Sequence, residues 1–164
     1  MNIDTKINTK STTKDQFYSL DEANMMIPDL DLAFIRIKQM QLQVQTLFKT
    51  VKKRGIDFVP NDDKQLFLLQ STLDDESIDV LSSLKLLLAN IQEEINVLSD
   101  RGCSVSSIEQ GMVNWRYKYS NRVIFLSWLH GEKQVSHWCP NRDDGPSRRR
   151  PLSELTLDDA SIDA

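Results

Sequence analysis

Apolar residues return every three or four positions along the middle of the chain and every second position after Gly102, so a helical stretch precedes a sheet. Ser19-Leu20-Asp21-Glu22 forms a capping box, in which hydroxyl and carboxylate each meet the other residue's backbone N–H, and it starts the first helix. Pro28 is expected to kink or restart that helix, with Asp29 as a second cap. Leu30, Phe34, Ile37, Val44, Phe48 and Val51 then make one apolar stripe, broken only by Gln41. Lys49, Lys52, Lys53 and Arg54 complement the negative end of the dipole, and Gly55 supplies the stop, so the helix runs from Leu20 to Arg54. Between Gly55 and Asp74 loop signals dominate, and Leu66–Leu69 allows a short helix. A second helix starts at Asp74-Asp75-Glu76, carries Ile78, Leu81, Leu84, Leu88, Ile91, Ile95 and Leu98 on one face, and closes at Arg101-Gly102.

In the last third the period is two. Val113, Trp115, Tyr117 and Tyr119 alternate with Asn114, Arg116 and Lys118, and Ser120-Asn121 makes a turn. Val123 to Leu129 is apolar on both faces apart from Ser127, as in a central strand covered on two sides. Val135, His137 and Cys139 share one face of a third strand, and Ser136 and Trp138 share the other. The predicted class is α+β: a long antiparallel helical hairpin packed on a three-stranded antiparallel β-meander. Two helices cover one face of such a sheet, so the other needs the C-terminal tail, the 55–74 loop or another molecule. A homo-oligomer or a protein partner on the sheet face is therefore expected.

At 164 residues the chain fits one domain, predicted over 17–152, between a disordered arm at 1–16 and an acidic disordered tail at 153–164. No apolar run is long enough to span a bilayer, which excludes a membrane protein. The net charge of -4 argues against bulk nucleic-acid binding. The polar N-terminus has no signal-peptide core, which points to the cytoplasm, and Cys103 and Cys139 are then reduced thiols.

The segment Phe17-Tyr18-Ser19-Leu20-Asp21-Glu22-Ala23-Asn24 followed by Pro28, together with Ile108-Glu109-Gln110-Gly111-Met112-Val113-Asn114-Trp115, resembles the bacterial "domain of unknown function 2203" group. Val123 to Trp128, Gly131-Glu132, His137-Trp138-Cys139 and Arg149-Arg150-Pro151-Leu152 resemble its C-terminal signature. The resemblance covers Phe17 to Leu152 and implies a fold with no established activity. Asn114 stands where that family usually has aspartate, Cys139 where the strand usually ends in histidine, and Gly145-Pro146 with Arg148-Arg149 replaces Gly-Phe and Gly-Arg.

His137 and Cys139 lie two apart on one strand face, near enough for imidazole and thiolate to bind a zinc-like ion. Completing that site requires His130, Cys103, Glu109 or Glu132, of which Glu109 is taken as the third ligand. Against it stands a half-buried histidine beside a small apolar cysteine. A catalytic Cys139 needs a lowered pKa, from Arg142 or protonated His137. Arg142, Arg148, Arg149 and Arg150, with Trp115, Tyr117 and Tyr119 nearby, form a cluster able to grip phosphate or RNA. Glu154, Asp158, Asp159 and Asp163 follow and can neutralise it in cis. The ligand or partner candidates are Trp115, Trp128, His137, Trp138, Cys139, Arg149 and Arg150. The chain reads as a small binding or scaffold protein with no cofactor specified, the alternative being a metal-dependent or thiol enzyme at the third strand.

Overall fold

In the computed structural model, residues 15–58, 62 and 72–155 are described. The arm expected at 1–16 and the tail expected at 153–164 fall almost wholly outside them, as does most of the 55–74 connection with its Leu66–Leu69 run. The chain divides into two compact units, Met1–Phe34 with Ile95–Ala164, and Ile35–Glu94.

The capping box forms as its residues require: Glu22 N–H donates to Ser19 Oγ at 3.1 Å and Ser19 N–H to Glu22 Oε1 at 3.0 Å. Helix α1, Leu20–Met25, stops at once, and α2 runs Ile27–Lys53. Pro28 sits in the first turn of α2, where its missing N–H costs nothing, and Asp29 lies inside that turn instead of capping it. Helix α3, Asp75–Asp100, begins where Asp74 Oδ1 accepts the Ser77 N–H at 3.0 Å. In the 35–94 unit, Val51, Leu81 and Leu84 form a buried cluster against which Leu47, Phe48 and Leu88 pack. Arg36 makes a two-pronged pair with Glu94 at 2.8 and 2.9 Å.

The other unit holds an antiparallel sheet of five strands in the order β1-β2-β3-β4-β5, not the three expected. The expected three are β2 (Met112–Tyr119), β3 (Arg122–Leu129) and β4 (His137–Cys139). The added edges are β1 (Ser104–Ser107) and β5 (Arg150–Pro151). Both lack the usual sign of a strand, because β1 is mostly serine and β5 is two residues ending in a proline that only an edge tolerates.

Strand register sorts the side chains. Trp115, Tyr119, Leu126, Trp128 and Trp138 share one face, and Asn114, Phe125, Ser127, His137 and Cys139 share the other. On the first face Trp128 meets Phe34, with ring centroids 6.1 Å apart. Tyr18 closes one side by donating from its hydroxyl to Arg101 C=O at 2.8 Å, and it passes over Gly102, φ +87°, where any Cβ would collide with that hydroxyl. Asn24 accepts the Val135 N–H at 2.7 Å, which fixes the chain ahead of β4. Around Asn114, Phe125 and Ser127 the second face is covered from within the chain by Arg142, Asp144 and Arg149, which belong to none of the covers expected. Asn114 Nδ2 donates to Arg142 C=O at 2.8 Å, and the Arg142 guanidinium lies 5.7 Å from the Phe125 ring centroid.

Candidate functional site

A row of polar side chains crosses the covered second face. Asn114 pairs with Ser127 and Ser127 with His137 on adjacent strands, so the three stand side by side. Asn114 and Ser127 are fully buried, and the side chain of Arg149 is 10 % exposed. Arg149 donates from Nε to Ser127 Oγ at 3.0 Å and from Nη2 to Glu132 Oε1. The same Glu132 oxygen accepts the Leu129 N–H at 2.7 Å, and the Glu132 carbonyl accepts the Trp128 indole N–H at 2.9 Å. Glu132 Oε2 lies 3.4 Å from His137 Nδ1, which is also 3.0 Å from Ser136 Oγ. Arg149 and Glu132 thus neutralise each other inside a network where almost every group has a partner; the Asn114 Oδ1 has none.

Cys139 adds little reactivity to this row. It is fully buried, its thiol contacts Asn141 C=O at 3.4 Å, and burial pushes its pKa up to about 12, with Asp144 adding to the rise and Arg149 opposing it. A thiol held protonated is a poor nucleophile. His137 and Cys139 do share a face, as read from their spacing, whereas Glu109 is exposed in the turn between β1 and β2. Among the described residues no group of three or more His, Cys, Asp or Glu side chains is placed to hold a metal ion.

The first face carries a different constellation at its β3–β5 end. Trp138 is flanked by two guanidinium groups, Arg150 at 5.3 Å and Arg122 at 6.0 Å from its ring centroid, and Arg122 also lies 5.5 Å from the Tyr119 centroid. Flat, weakly hydrated guanidinium groups stack well on such rings and keep their in-plane N–H donors for oxyanions. One oxyanion is already there: Glu154 meets Arg150 at 2.9 Å. Beside it Leu155 is buried against Tyr119, Ile124 and Trp138, and its carbonyl accepts the Tyr119 hydroxyl. Between Met112 and Pro151 eight Lys and Arg face three Asp and Glu, so this stretch is basic although the whole chain carries -4.

The candidate residues therefore separate into three places. His137, Cys139 and Arg149 converge on the second face, the buried Trp138 and the exposed Arg150 on the β3–β5 end of the first, and Trp115 and Trp128 are fully buried core. Arg122 and Leu155 carry no motif in the sequence. A cation two residues before an apolar strand core and a leucine after an edge proline become significant only when the strands pair.

Residues 16–152 match the model of the family described as "Uncharacterized conserved protein (DUF2203)", and the chain belongs to that family. No curated protein and no solved structure matches it. Among the described residues no helix is long and apolar enough to cross a membrane.

Proposed function

We propose that this chain is a non-catalytic binding protein whose ligand surface is the β3–β5 end of the sheet, where it takes an oxyanion, phosphate or carboxylate, on Arg122 and Arg150. One observation carries the reading: two guanidinium groups stack on the single Trp138 indole, and a carboxylate of the chain itself is seated on one of them. Glu154 already shows that a carboxylate can sit on Arg150 while its guanidinium stays on the indole, so the arrangement suits an oxyanion at this end of the sheet. The enzyme alternative has less support, since Cys139 is held protonated and the Arg149–Glu132 pair is internally neutralised.

The test is calorimetric titration of the full-length chain with inorganic pyrophosphate at low and high salt. Binding is expected at low salt, weakened steeply by added salt and lost in Arg122→Gln and Arg150→Gln, with Arg148→Gln as a neighbouring control. Binding that is indifferent to both arginines would refute the assignment.

The 35–94 unit is the scaffold half of the reading. Arg36 paired with Glu94, and Val51 clustered with Leu81 and Leu84, support α2 and α3 running antiparallel as a hairpin. Two buried free thiols suit a reducing compartment, and on that ground we place the chain in the cytoplasm. The homo-oligomer or protein partner expected on the sheet face remains part of this proposal, supported by Val123, which is 39 % exposed on that face.

A further inference from the structure

We propose that Glu154 and Leu155 are an internal ligand of the Arg122–Trp138–Arg150 surface, and that the partner this surface takes is a peptide segment in which a carboxylate residue is followed by an aliphatic one. The proposal rests on the oxyanion reading of the same surface and extends it to a ligand class and a means of regulation.

After β5 the chain keeps to the sheet, with Leu152 N–H donating to Ser136 C=O at 3.0 Å. It then turns, Leu155 N–H bonding Leu152 C=O at 3.0 Å, which delivers both residues to the arginine–tryptophan end. Each contact there is one that a separate peptide can make. Glu154 supplies a carboxylate to Arg150, Leu155 supplies an aliphatic side chain to the buried cluster of Tyr119, Ile124 and Trp138, and the Leu155 carbonyl supplies an acceptor to the Tyr119 hydroxyl. The surface therefore reads three features of a peptide in order. Its charge agrees: Ser153 to Ala164 has four acidic residues and no Lys or Arg, opposite a basic stretch from Met112 to Pro151.

The seat is suited to exchange. The ion pair is open to water, with side chains 56 % and 41 % exposed, so salt and competing anions reach it. Tethering gives the internal segment an effective concentration in the millimolar range, so a partner in trans must displace it or find it released.

The experiment uses the full-length chain with Glu154→Gln and Leu155→Ala together, and a synthetic peptide of residues 152–159 as probe. Removing the tethered competitor should make the peptide bind about tenfold more tightly than to the native chain, and adding Arg150→Gln should abolish that gain. Glu154→Gln alone, which leaves the packed leucine in place, should give a smaller gain in the same direction, and covers the case in which the double variant is unfolded by circular dichroism. Equal peptide binding by native and variant chains, or no binding by either, overturns the internal-ligand proposal. Pyrophosphate run in parallel separates the two readings: arginine-dependent pyrophosphate binding without the peptide effect leaves the oxyanion surface standing alone, and a peptide effect without pyrophosphate binding restricts the surface to peptides.

Discussion

Burial decides the chemistry of the two thiols. Cys103 is pushed up to about 12 by burial against the opposing pull of Trp115 and Arg101, and Cys139 reaches about 12 for the same first cause. A disulfide reagent at mildly alkaline pH should therefore find no reactive thiol in the native chain and both after denaturation. The linkage has a definite sign: an acid whose folded pKa lies above its unfolded value of 9.0 stabilises the fold at lower pH, and that stability drains away as pH rises from 9.0 towards about 12. Each cysteine should cost about 1.4 kcal/mol per pH unit across that window. A Cys103→Ala, Cys139→Ala chain should accordingly show a shallower alkaline fall in its thermal midpoint, and identical slopes would mean that neither thiol is held protonated. Asn114 presents the reverse case of a polar group fixed by its partners. Asn114→Ala strands the Arg142 carbonyl and opens a small void, and should lower stability by ~2–3 kcal/mol in chemical denaturation.

At the scale of elements, α3 concentrates its burial at a few stripe positions. Leu81 and Leu84 are almost fully buried while Leu88 packs at the cluster's margin, so Leu84→Ala should cost ~2–5 kcal/mol and Leu88→Ala distinctly less. Equal losses would mean that the stripe is buried uniformly. The long helices were legible because a 3.6-residue period is sustained over seven turns, and Asp74 marks the start of α3, but Ser19 caps only the short α1, and the break before Ile27 splits what read as one helix from Leu20 to Arg54. The edge strands were not, because β1 and β5 are held by neighbours more than by their own residues. The candidate site divides in the same way. Period-two reading put His137 and Cys139 on one face, but nothing local announces that Arg149 reaches back to Ser127 across twenty-two positions, or that Arg122 and Arg150 stack on the same indole. Such convergence depends on strand order and on the path of residues 140–149. A lone Ser127 in an otherwise apolar strand was the available signal, since a buried hydroxyl needs a partner from elsewhere in the chain.

For the whole molecule, the charge distribution and the anion surface make one thermodynamic prediction. A ligand that binds only the folded sheet must stabilise it by mass action, by ~2.7 kcal/mol at a hundred times its dissociation constant. Thermal unfolding of the full-length chain should therefore shift upward with inorganic pyrophosphate. The shift should follow the sheet-bearing unit, read from the fluorescence of Trp115, Trp128 and Trp138, all of which lie in the sheet. General ionic effects are separated by comparison with sulfate at equal ionic strength, which screens every surface pair but carries one oxyanion centre where a diphosphate carries two. Arg122→Gln should cancel the pyrophosphate shift while leaving the unliganded midpoint nearly unchanged, because a stacked surface cation contributes ~0.5–1 kcal/mol at most. If pyrophosphate and sulfate raise the midpoint alike, or if the shift survives loss of both Arg122 and Arg150, the basic end of the sheet is a solvated surface and not a binding site.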